Sequence, residues 1–375
     1  MKVTARQLNR ATLARQLLLG REPLDPATAV SRLCALQAQA PASPYLALWS
    51  RIAGFDAADL DRAFDEGAVL KTTLMRATLH AVAAADHPHF WAAVAAHLRR
   101  ARAGPPVTTA LGVTEEQLTA ALDAALAHAS DPRSATELSA HLREVVGPVA
   151  DPGWWWAVLP FARVIRVPDV TPWRFGPRVT YRTAAGPEPP GTRQESLQYL
   201  VCSYLRAFGP ATLKDLARFN KLAMVTVRAA VETCDDLVIH EGPDGQRLYD
   251  VPGAPLPDGE TVAPPRFLPM WDSILLAHAE RTRHMSEADR RLVVRQNGDY
   301  LPTILVDGYV AGVWLPGPNG IEVCAFREFD GATWDSLTAE AQALHAFLAP
   351  REPNVYARYR YYWAQLPPLE TRVLK

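Results

Sequence analysis

Cysteine is scarce in this chain: Cys34, Cys202, Cys234 and Cys324 are its only four, far apart and without a Cys-x-x-Cys pair. That pattern argues against a zinc ribbon and a disulfide framework. The four are expected to be small buried apolar residues. Long apolar runs are missing too: no stretch of about 18 occurs, so no membrane span is expected. The basic N-terminal segment has no extended apolar core with a cleavage site, and reads as the first helix of a cytoplasmic protein. Charge of one sign is not in excess, the net being −1. There is no glycine-rich phosphate loop, no Ser-His-Asp spacing and no cofactor fingerprint, so no cofactor is expected. His87-Pro88-His89 has no partner at ligand spacing, so no metal is expected either.

What is present fits an ordinary folded protein. Hydrophobic residues make up 49% and charged ones 21%, and 375 residues suffice for two or three domains with a large core. Arginines gather locally: Arg6, Arg10 and Arg15; Arg99, Arg100 and Arg102; Arg163 to Arg182 against Asp169 alone; Arg281, Arg283, Arg290, Arg291 and Arg295; and Arg351, Arg358 and Arg360. Such clusters are either solvated faces or contacts to an anionic polymer, and distribution matters more than the sum.

Spacing along the chain predicts helices over 4–19, 26–36, 43–53 and after Asp56, then strands over 68–75 and 78–83. Asp25-Pro26 supplies a cap and a proline at the first helical position. Helices followed by a hairpin are the winged-helix pattern, and it recurs loosely. Helices are expected at 114–129, 134–142 and 154–159, with strands at 163–167 and 178–182. A third set has helices at 192–208, 212–219 and 224–234 and strands at 237–240 and 247–251. The tail holds strands at 300–306, 309–315 and 321–326 and a helix at 333–348, with Asp307-Gly308 a two-residue hairpin signal. The expected class is α+β: three tandem winged-helix units (1–103, 107–185 and 191–255) around a concave face, then a C-terminal antiparallel sheet or partial barrel over 261–375. Trp154-Trp155-Trp156 is expected to be largely core.

The most informative tripeptide is Gln37-Ala38-Gln39, just before Pro41. Residues two apart share a face only in extended chain, and Pro41 pushes Ala40 towards extension. Both amides can then reach one small polar object, such as a water molecule. The bland alternative is a polar cap on a helix end.

These residues stand in order with Thr73-Leu74-Met75-Arg76-Ala77-Thr78-Leu79-His80, Phe267-Leu268-Pro269-Met270-Trp271-Asp272, Arg281-Thr282-Arg283 and Leu301-Pro302. Together they resemble the winged-helix superfamily of bacterial DNA glycosylases. A glutamine pair, rather than Gln-x-Asp, is similar to its AlkZ branch, the azinomycin-resistance glycosylases. The resemblance implies a monofunctional enzyme that excises N7-alkylated purines and unhooks interstrand crosslinks, giving self-resistance to a DNA-alkylating natural product. It implies Gln37 and Gln39 as catalytic residues and double-stranded DNA as the partner of a monomer without membrane association. The residues expected to contact DNA are Arg6, Arg10, Arg76, Arg281, Arg283, Asp307 and Gly308. Arg76 and His80 also suit a wing-strand salt bridge and a packed histidine, and Asp272 suits pairing with Arg281 or Arg283. With no lysine beside the glutamines in sequence, a Schiff-base lyase step is not expected. Two other functions fit the same residues: a non-catalytic winged-helix regulator, and an immunity protein that sequesters a drug in the C-terminal sheet.

Overall fold

The computed structural model describes residues 1–102, 112, 114–147, 162–184, 191–367 and 369–375. The expected helix at 154–159 and the three adjacent tryptophans lie outside them. Helix α1 (Ala5–Arg15) opens with a capping box in which Thr4 and Gln7 satisfy each other's backbone N–H groups. It stops short of residue 19 because Leu17 takes a left-handed conformation (φ 58°). Helix α2 (Pro26–Arg32) is capped by the Asp25 carboxylate, with proline at its first turn. It ends early too, since Cys34 and Ala35 both have positive φ and throw the chain into strand β1 (Leu36–Gln37).

Helices α3 (Ser43–Trp49) and α4 (Ala57–Asp65) follow, then strands β2 (Val69–Thr73) and β3 (Leu79–Ala83) and helix α5 (His87–Arg102). The next stretch holds α6 (Glu115–His128), β4 (Arg133–Ser134), α7 (Ala135–Val146), β5 (Val164–Arg166) and β6 (Thr180–Thr183). Beyond it come α8 (Arg193–Phe208), α9 (Leu213–Asn220), α10 (Met224–Glu232) and the hairpin β7 (Val238–Glu241) and β8 (Arg247–Asp250). The order of a helix, a short strand or bridge, one or two further helices, then two strands thus occurs three times among the described residues.

The first two hairpins do not stand apart. Their strands join in one six-stranded sheet, ordered β1-β3-β2-β5-β6-β4, with β2 meeting β5 antiparallel at Lys71 and Arg166. Side-chain alternation divides β1, β2 and β3 of this sheet between two cores, while Val164 of β5 and Tyr181 of β6 join a third with α6 and α7. Leu36, Val69, Ala81 and Ala83 join the larger core with α2, α3, α4 and the C-terminal region. Leu70 and Val82 join the second, with α5, α8, α9 and α10.

The C-terminal region carries strands β9 (Arg266–Leu268), β10 (Thr303–Val306), β11 (Tyr309–Gly317), β12 (Gly320–Ala325) and β13 (Glu370–Leu374), with helices α11 (Glu287–Val293) and α12 (Gly331–Leu348). Its sheet is antiparallel, ordered β13-β12-β11-β10-β9. The two edge strands are not paired with each other, so the expected partial barrel is an open sheet. No described helix is long and apolar enough to cross a membrane.

Candidate active site

Strand β1 holds Gln37 in register with His80 on β3, and Ala38 N–H donates to Leu79 O at 2.8 Å. Gln37 therefore ends an edge strand of the six-stranded sheet, and Gln39 lies in a bend just beyond it. Gln37 is only 8% exposed. Its Oε1 accepts from Arg76 Nη2 at 2.8 Å. Arginine has only donors, so it fixes the amide with the carbonyl inward and leaves the NH2 group and one carbonyl lone pair for another partner. Gln39 is exposed, and its carbonyl is 3.5 Å from Leu79 N–H, a contact weak enough to leave the amide free to turn.

Arg76 owes its position to the turn between β2 and β3. Arg76 and Ala77 both adopt left-handed conformations (φ 56° and 58°), which folds the guanidinium back over the sheet. It donates to Phe219 O at 2.9 Å and lies 4.5 Å over the Phe219 ring. Its third neighbour is His80 Nε2, at 3.3 Å. Burial pulls the His80 pKa down to about 3, with the Arg76 charge adding to the effect. The neutral ring donates from Nδ1 to Thr78 O at 2.9 Å, so its Nε2 is an acceptor. His80 is thus packed, as expected, but the wing-strand salt bridge is replaced by a hydrogen-bonded set with no carboxylate. Arg76 itself is pulled down to about 10 by burial and then by Arg281. Arg281 Nε and Nη1 are buried without a hydrogen-bond partner, and burial lowers its pKa as well. Two neighbouring guanidiniums without a carboxylate make an electropositive spot beside Gln37.

Gln39 also borders a cavity of about 560 Å³ lined by Lys71, Arg166, Trp173, Phe175 and Tyr359 among others. Lys71 is 1% exposed. Its ammonium lies 4.5 Å over the Phe175 ring, and burial followed by Arg166 lowers its pKa to about 7. A lysine does therefore stand near the glutamine pair in space. It was legible as a charge inside the apolar strand Val69–Thr73, but its strand is distant from Gln39 in sequence. Among the described residues the cavity has one carboxylate on its wall, Glu352, which accepts the Trp173 indole N–H.

The remaining expected DNA contacts are distributed differently. Arg10 is fully buried and bonded to Thr261 O, Asn9 Oδ1, Asp307 O and the Asp307 carboxylate. Arg6 pairs with Asp307 at 2.8 Å and Glu260 at 3.1 Å. Arg283 donates to Phe208 O, Pro210 O and Thr12 Oγ1. The Asp307-Gly308 turn rests on α1, where Asn9 Nδ2 donates to Gly308 O at 2.9 Å. Arg6, Arg10, Asn9 and the turn form a bracket between α1 and the C-terminal sheet, while Arg283 reaches from beside Arg281 to the α8–α9 junction. Asp272 pairs with neither Arg281 nor Arg283 but with Arg51, at 2.8 and 2.9 Å, both side chains fully buried. Asp86-His87-Pro88-His89 is packed: the Tyr199 hydroxyl donates to Asp86, and His89 stacks on the Tyr199 ring.

No curated protein matches the chain in sequence. Among solved structures, Streptomyces sahachiroi DNA glycosylase AlkZ superposes with a TM-score of 0.79 at 22% identity, covering 94% of this chain and 99% of that one. At that identity the likeness establishes the fold. The family model described as DNA glycosylase AlkZ-like matches residues 30–347, a span that holds the glutamine pair, Arg76, His80 and Arg281. On that match the chain belongs to the AlkZ-like DNA glycosylase family.

Proposed function

We propose that this DNA glycosylase is monofunctional and hydrolyses the N-glycosidic bond of N7-alkylated purines, bulky adducts and interstrand crosslinks included, giving resistance to a DNA-alkylating natural product. The observation that carries this reading is the arrangement of Gln37 and Gln39: one amide at the end of the edge strand β1, locked by Arg76, and the other just beyond it, open to a cavity. Their amides hold a water molecule against the C1′ face of the sugar. Glutamine is no base near neutral pH, but it accepts and donates hydrogen bonds. N7-alkylation makes the purine a cationic leaving group, so no general acid is needed and positioning carries most of the rate gain. Arg76 and Arg281, lacking carboxylates, take the phosphates beside the lesion. The aromatic cavity next to Gln39 has room for an adduct that cannot be flipped into a closed pocket.

Three features support a winged-helix organisation over 1–103, 107–185 and 191–255, with 261–375 as the C-terminal part: the repeated element order, the first two hairpins sharing one sheet, and the second core packed on its back. A competing catalytic reading makes Glu352 a general base, since it borders the same cavity. Its engagement with Trp173 favours a structural role. A non-catalytic regulator would instead use α10, which exposes Met224 and Val225, as a major-groove reader.

Incubation with a duplex carrying a single N7-methylguanine, followed by hot alkali, tests the function. The expected result is strand cleavage at the lesion only after alkali, because a monofunctional enzyme leaves an intact abasic strand. Binding without alkali-labile sites would support the regulator.

A further inference from the structure

The four cysteines are scattered in sequence, yet the fold brings two of them together, against the expectation of isolated buried thiols. Helix α8 presents Gln194, Gln198 and Cys202 at intervals of one turn, on one face. Gln194 Nε2 donates to Thr233 Oγ1 at 2.8 Å and Gln198 Nε2 to Thr233 O at 2.7 Å, which ties that face to the end of α10. The next residue is Cys234, whose thiol reaches Ala230 O at 3.2 Å. Cys202 lies one turn beyond Gln198, as Cys234 lies one residue beyond Thr233, so the two thiols stand near each other on the wall of one cavity. Both are partly exposed and line an open cavity of about 790 Å³, together with Arg206 and Tyr199. Neither Gln37, Gln39, Arg76 nor Lys71 lines it. Cys34 and Cys324 are buried and unpaired.

We propose that Cys202 and Cys234 form a reversible dithiol–disulfide pair that takes oxidising equivalents from low-molecular-weight disulfides, the closed form stapling the end of α10 to α8. The Cys202 thiolate attacks one sulfur of the small disulfide. That S–S bond breaks, and the released thiolate takes up a proton. The Cys234 thiolate then attacks the Cys202 sulfur of the mixed disulfide and expels the second small thiol. Two protein thiols become one disulfide, and one small disulfide becomes two thiols. The neighbouring Cys234 thiol, with the Arg206 charge assisting, lowers the pKa of the Cys202 thiol, which favours Cys202 as the attacking thiolate. The Cys234 thiol is raised by Cys202 and by burial, which suits the resolving role, taken up once Cys202 is capped. The cavity admits the oxidant.

The test is incubation of the native full chain with oxidised glutathione, followed by proteolysis without reduction and mass spectrometry. The expected product is a Cys202–Cys234 disulfide, with Cys34 and Cys324 left as free thiols. In Cys234→Ser the reaction should stop at a glutathione adduct on Cys202, and in Cys202→Ser position 234 should stay free. Recovery of both thiols unmodified would overturn the proposal. So would a glutathione adduct that persists on Cys202 of the wild type, or modification spread equally over all four cysteines.

Discussion

Gln37 shows what a single side chain can and cannot announce. Its alternation with Gln39 and the proline beyond pointed to extended chain, which holds for Gln37, whereas Gln39 falls in a bend past the end of the strand. The Arg76 guanidinium that orients Gln37 was not legible as its partner, because the contact depends on two successive left-handed residues with no glycine to mark them. Lys71 was overlooked for a different reason: its neighbours in the cavity come from three distant segments. That burial has a measurable cost. A lysine whose folded-state pKa is about 7 against 10.5 when unfolded binds its proton more tightly unfolded. The penalty is full below about 7 and fades as pH rises towards 10.5. Lys71→Met should therefore raise stability at pH 7 by on the order of a few kcal/mol. It should also remove the rise in wild-type stability between those pH values. Denaturant unfolding of both proteins across that range checks this, and parallel pH profiles would refute it.

At the scale of elements, helix starts were the clearest signals and helix ends the poorest. Thr4, Asp25, Thr114, Ser134 and Thr192 all cap helices whose expected spans begin at or next to them. The stops at Leu17, Cys34 and Ala35 use residues with no turn preference, held left-handed by packing rather than by local chemistry. The Asp307-Gly308 hairpin was recognisable as a turn, but its docking on α1 was not. Gly308 has φ 78°, and a Cβ there would lie 2.5 Å from Leu13 Cδ1 and 2.6 Å from Asn9 Oδ1. Gly308→Ala should therefore destabilise the protein by about 1–3 kcal/mol, read as a lower denaturation midpoint. A turn reaching freely into a DNA groove would show only the backbone strain of the positive φ, about 1 kcal/mol.

For the whole molecule, class and coverage were legible and the joins between parts were not. The fusion of two hairpins into one sheet rests on the short β2–β5 pairing at Lys71 and Arg166, and an antiparallel contact of that length leaves no mark in either segment. Another property belongs to the chain as a whole. Burial, the leading cause in each case, lowers the pKa values of five of the described histidines from 6.5, His240 among them, and four of them strongly: His80 and His284 to about 3, His87 to about 4, and His278 well below its ordinary value. Each of the four stays neutral when folded and takes a proton when unfolded. Their contribution is complete above about 6.5 and is lost as pH falls towards 4. The unfolding free energy should thus drop steeply over that interval, with a slope near pH 5 approaching the uptake of about four protons. A flat profile there would show that these rings are solvated.

The central claim is that two amides, rather than a carboxylate, position the water. Single-turnover excision of N7-methylguanine by the wild type, Gln37→Ala, Gln39→Ala and Glu352→Gln tests it most directly. The expected result is a loss on the order of 10²-fold for each glutamine variant, as for removal of one preorganised polar contact, with Glu352→Gln close to wild type. Wild-type rates in both glutamine variants together with a collapse in Glu352→Gln would contradict it.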